Sequence, residues 1–130
     1  MSYGSAAALQ QAVYQRLVDH LPDVPVHDAL PPGTGGGSFV LLGPEEATSA
    51  ADATGAGALH RFVVSVISDA SGFLQAKEIA VAVSDALVDA PLILSRGRLV
   101  ALRFIKAQAR RVDQGGARRI DLRFAARIEG

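Results

Sequence analysis

The chain contains no cysteine and no tryptophan among its 130 residues, and only one methionine. The missing cysteines exclude disulfides, thiolate metal sites and a cysteine nucleophile. Aromatic residues are scarce, at two tyrosines and five phenylalanines, so the expected core is thin and built mainly from Val, Leu and Ile. The formal net charge is zero, which excludes a long-range field that would draw the whole chain to nucleic acid or anionic lipid. No window approaches the roughly 20 apolar residues of a membrane span. The N-terminal MSYGSAAALQQ also lacks the basic start and apolar run of a signal peptide. A cytoplasmic protein with no membrane partner is the expectation, a single domain over residues 1–130.

Catalytic patterns are missing as well. The histidines His20, His27 and His60 have no metal-ligand spacing, and no serine sits in a G-x-S-x-G elbow. Glu45 and Glu46 are adjacent, so on an extended chain their side chains point apart and make a charged contact patch rather than an acid–base pair. The glycine cluster at 33–37 is not followed by Lys-Ser/Thr and does not join a strand to a helix, so it is read as a loop and not a phosphate cradle. No catalytic residue, cofactor or metal is expected.

The zero net charge conceals a division. Residues 1–95 hold three basic and ten acidic side chains, whereas residues 96–130 hold ten basic and three acidic. Such a chain can pair head to tail with copies of itself or turn a basic surface toward another partner, the alternative being that these charges are solvated faces of two exposed strands.

Periodicity supplies the elements. Leu9, Val13, Leu17 and Leu21 recur every four residues, which predicts an amphipathic helix over 5–20, capped by Ser5 and stopped by Pro22. Residues 24–28, with Pro25, suit a short edge or linking strand. Residues 38–43 form a compact apolar run, and residues 61–68 form a dense β-branched one that reads as a strand buried on both faces. Between these two, residues 44–58 (PEEATSAADATGAGA) are small and polar. They are expected to form a long flexible loop that contacts a partner or faces a pore, the alternative being a plain mobile linker. The segment 68–72 offers a cap for a second helix, whose stripe runs Phe73, Ala76, Ile79, Ala80, Val83, Ala86 and Leu87. Two long strands follow, 99–113 and 118–129, joined by the hairpin signal Gln114-Gly115-Gly116. In the last strand Ile120, Leu122, Phe124, Ala126 and Ile128 alternate with Arg119, Asp121, Arg123 and Arg127. The expected fold is α+β: a two-layer sandwich with a mostly antiparallel sheet of four to five strands and two helices packed on one face.

The charged residues singled out as candidate subunit or partner contacts are Glu45, Glu46 and Asp52 on the loop, and Arg110, Arg111, Arg118 and Arg119 around the hairpin. With no exposed aromatic beside those arginines to stack a base, any contact with nucleic acid would be to phosphate and sensitive to salt.

The order of features across nearly the whole chain resembles the tail-terminator or tail-completion proteins of long-tailed phages and of alphaproteobacterial gene transfer agents. The resemblance runs through Leu9-Gln-Gln-Ala-Val-Tyr-Gln-Arg-Leu, Val26-His-Asp-Ala-Leu-Pro-Pro, Phe39-Val-Leu-Leu-Gly43 and the small-residue loop. It continues in His60-Arg-Phe-Val-Val-Ser-Val-Ile-Ser, Gly72, Ala76-Lys-Glu-Ile-Ala, Leu99-Val100, Arg110–Asp113 and Leu122-Arg-Phe-Ala. It implies a non-enzymatic assembly protein that forms a ring, usually hexameric, at the head-proximal end of a tail tube. The ring stops tube polymerisation and joins the tail to a connector of the capsid, and DNA crosses its lumen without sequence-specific binding. The implied partners are the chain itself, the tube protein and a head–tail connector or stopper. The implied location is the cytoplasm during assembly, then the particle. Two other readings stand beside it: a neighbouring connector or stopper protein, and a small α+β ligand-binding domain.

Overall fold

The computed structural model describes residues 3–29, 37–49, 57–69, 72–112 and 117–130. Its elements are α1 (Ala6–His20), β1 (Val26–His27), β2 (Phe39–Ser49), β3 (Gly57–Ser68), α2 (Leu74–Leu87), β4 (Arg98–Val112) and β5 (Ala117–Glu129). The five strands form one sheet in the order β1-β2-β3-β5-β4. The β1–β2 pair is parallel and the other three are antiparallel. Both helices lie against one face, so the fold is the expected two-layer α+β sandwich.

The core follows from strand alternation. Phe62, Val64 and Val66 of β3 and Ile120, Leu122, Phe124, Ala126 and Ile128 of β5 turn toward the helices. They meet Leu9, Val13 and Leu17 of α1 and Ala76, Ala80, Val83 and Leu87 of α2. Phe124 is completely buried and stacks on Phe62, 5.6 Å between ring centroids. The helices are fastened to each other where the Arg16 Nε donates to the Ala86 carbonyl at 2.8 Å. That bond places a cation on one of the last carbonyls of α2, which lack helical partners.

Several local expectations change. Residues 44–49 are not loop: they extend β2 beyond a bulge between Leu42 and Glu45, and residues 57–58 open β3. The backbone ladder to β3 carries these small polar residues without apolar periodicity, and Pro44, which has no N–H to donate, falls within the bulge. Asp52 and the rest of 50–56 lie outside the described residues. Ser5 makes no side-chain cap on α1. Residue Phe73 takes the N-cap position of α2, and Asp69, expected in the cap, instead accepts the Gly37 N–H at 2.7 Å. β4 is irregular, with bulges between Leu99 and Ala101 and between Phe104 and Lys106. Val100, expected to line up with Leu102 and Phe104, is therefore an extra residue at the first bulge. The glycine cluster at 33–36 and the turn at 114–116 also fall outside the described residues.

Candidate assembly surfaces

The sheet's two outer strands differ in length and charge. β1 has two residues, and the segment from Asp19 to Asp28 around it holds Asp19, Asp23 and Asp28 with no Lys or Arg. β4 has fifteen residues, carries Arg98, Arg103, Lys106, Arg110 and Arg111, and has no acid. The acidic and basic parts of the sequence thus reach opposite edges of one sheet.

Adjacent residues on a strand point to opposite faces, and this splits the arginine pairs. Arg110 is directly opposite Arg119, and Arg111 is opposite Arg118. Arg110 and Arg119 stand on the face away from the helices, together with Arg103, Lys106 and Arg123. There Asp121 accepts bonds from the Ser65 hydroxyl at 2.6 Å and from Arg119 Nε at 2.8 Å, and its other oxygen lies 3.5 Å from Arg110. Burial alone would raise the Asp121 pKa. The Ser65 and Arg119 hydrogen bonds and the charges of Arg119 and Arg110 outweigh it and hold the carboxyl below its ordinary value.

Arg111 and Arg118 face the helix side. Arg111 is exposed, but Arg118 is only 9 % exposed and its guanidinium lies over the Phe73 ring at 5.3 Å. The four arginines therefore do not form one exposed tip.

Glu45 and Glu46 also part, as expected of neighbours on an extended chain. Glu46 pairs loosely with Arg61 at 3.7 Å on the face opposite the helices. Glu45 turns to the helix side, where one oxygen accepts the Tyr3 hydroxyl at 2.6 Å and the other lies 2.8 Å from His60 Nδ1. His60 is completely buried and its ring stacks with that of Tyr3. This three-residue cluster holds the start of the chain against β2 and β3. Tyr3 and His60 were not joined by sequence reasoning, because 57 positions separate them and neither belongs to a recognisable motif.

Among the described residues, an apolar surface beside α2 lacks cover. α2 packs over β3 and β5 and barely reaches β4, which leaves a groove of about 370 Å³ between α2 and the far half of β4. Ala80 and Val81 form one wall, Phe104, Ala107 and Ala109 the other, and Leu122 contributes to the lining. Val81 is 59 % exposed and Phe104 44 %. Among the described residues no group of three or more His, Asp or Glu could hold a metal ion. No helix among them is long and apolar enough to cross a membrane.

A search of curated protein sequences returns no match. A solved chain from the virion of a native gene transfer agent (GTA) particle is similar to this one at 56 % identity, with a TM-score of 0.87. The match covers 99 % of this chain and all of that one. A second solved chain, 20 % identical with a TM-score of 0.61 over all of this chain and 97 % of its own, shares the fold. The model of the tail completion protein gp17 family matches residues 5–129. The chain belongs to that family.

Proposed function

We propose that this protein is a structural subunit of a gene-transfer-agent-like particle, and that it forms a closed ring on the head-proximal end of the tail tube. The ring ends tube growth and presents its other surface to a head–tail connector or stopper. It acts by occupying a position rather than by catalysis. The observation that carries this reading is the full-length, 56 % identical relative from a gene transfer agent virion, together with the family match over 5–129. The opposite charges on the two sheet edges agree with it. A cyclic ring joins two different surfaces of each subunit, and complementary edges suit such a contact. Subunits are made and assembled in the cytoplasm, and DNA crosses the lumen without being read. The face bearing Arg103, Lys106, Arg110 and Arg119 is the surface best suited to salt-dependent contact with phosphate or with an acidic neighbour.

The test combines native mass spectrometry with electron microscopy of tail tubes assembled with and without the protein. The expected result is a discrete ring-sized species, of six subunits, and tubes capped at one end that no longer elongate. A chain that forms no closed oligomer, free or on tubes, and leaves tube length unchanged overturns the proposal.

A further inference from the structure

The uncovered groove beside β4 and the acidic margin around β1 lie at opposite edges of the same sheet. Two such unlike surfaces, if they bind each other, join head to tail, and that arrangement closes into a ring when the rotation permits. We infer that the groove between α2 and β4 receives the α1–β1 edge of a second copy of this chain, with Tyr14 as the inserted residue. This rests on the ring reading above and names the surfaces that would build the ring.

Three features select a second copy as the occupant. The groove is apolar on its walls and cationic on its rim, where Lys77 lines it and Arg111 follows Ala109 two residues on, toward the same face. The β1 edge supplies the opposite sign through Asp23 and Asp28. It also presents Tyr14, 39 % exposed in a recess shared with His27 and Asp28. An aromatic anchor entering an apolar slot, with charges paired around it, is the usual anatomy of a specific interface. Arg111 is exposed and stands on the helix side of β4, where an acid of the neighbouring copy can reach it. Ala107 and Ala109 at the inward positions of β4 leave the space that the tyrosine ring would fill.

The test uses the full chain, and first asks whether the wild type closes into rings, free or on tube ends. Lys77→Glu with Arg111→Glu makes the groove rim acidic, and Asp23→Lys with Asp28→Lys makes the β1 edge basic. Each pair is expected to weaken ring formation by roughly tenfold or more, and all four substitutions together to restore it. Circular dichroism checks that every variant is folded. Because the chain has no cysteine, Tyr14→Cys with Val81→Cys can be joined by a short bis-maleimide. A ladder of covalent multimers is expected, while Tyr14→Cys with Arg103→Cys, whose second position is on the other face, gives none.

Wild-type rings combined with no ladder from the first cysteine pair overturn the inference and leave the ring reading intact. So do rings that tolerate both charge swaps. If the rim variant forms rings normally but no longer retains DNA, the occupant is nucleic acid and the inference falls. A wild type that stays monomeric both free and on tube ends overturns the ring reading and this inference with it.

Discussion

Arg110 and Arg119 face each other across the β4–β5 ladder, and a single carboxylate, Asp121, serves both. Two guanidinium groups in register repel, so the local stability of this ladder depends on that acid. Replacing Asp121 by Asn removes the charge and keeps the shape. The expected cost is about 1–3 kcal/mol, because two cations lose their counterion and Ser65 loses a charged acceptor. Urea unfolding of dilute protein measures it. The pH dependence has a defined sign. Asp121 has a lowered pKa in the folded chain, so its contribution is complete above the unfolded value of about 3.9 and disappears as pH falls through the folded one. The wild type should lose stability over that acidic range more steeply than Asp121→Asn. Equal slopes would mean that the carboxylate contributes nothing.

The Tyr3–Glu45–His60 cluster gives a spectroscopic prediction. The hydrogen bond to Glu45 and the negative charge of Glu45 both raise the Tyr3 pKa, with a smaller effect of burial. Following tyrosinate absorbance as pH rises, the wild type should show a late component that Tyr3→Phe removes. Glu45→Gln should move that component to lower pH, since an amide can still accept the bond but carries no charge. Glu45→Ala should further cost about 1–3 kcal/mol of stability, because it strips the buried His60 Nδ1 of its partner. An unchanged titration in both Glu45 variants would refute the contact.

Gly97 has φ of +82°, and a Cβ there would lie 2.4 Å from Ser5 Oγ and 3.1 Å from the Glu129 carbonyl oxygen. Gly97→Ala therefore meets both backbone strain and the start of α1. A loss of about 1–3 kcal/mol is expected, read as a lower thermal midpoint. Gly72, with nothing among the described residues within 4 Å of its Cβ position, is the control and should tolerate Ala within about 0.5 kcal/mol.

The two-layer fold was legible because its signals are periodic. Leu9, Val13 and Leu17 at helical spacing, and Ile120, Leu122 and Phe124 in alternation, fix which faces meet, and all six are buried. The second half of β2 was not legible, since residues 44–49 lie on a ladder that requires backbone groups and no apolar side chains. Register across strands was also hidden. Arg110 and Arg111, or Arg118 and Arg119, read as doublets along the chain, yet pairing and alternation rearrange them into one cross-strand pair on each face. The groove beside α2 has no local signature at all, because Val81 and Phe104 come to line one groove only through the placement of α2 over β3 and β5 rather than β4.

That rearrangement gives the arginines unlike roles, which single substitutions can separate. Arg118 is nearly enclosed and its guanidinium covers Phe73. Arg118→Ala should lower stability by about 0.5–2 kcal/mol through lost packing and cation–π attraction. Arg111 is exposed and opposes Arg118. Arg111→Ala should leave the dilute chain unchanged within about 0.5 kcal/mol. Denaturant unfolding of the two variants at equal low concentration is the measurement. If both lost the same stability, the arginines would be a single structural cluster. The expected difference makes Arg118 a residue of the fold, whose loss impairs assembly only through the subunit. It leaves Arg111 as the member of the pair whose charge is available to a neighbour.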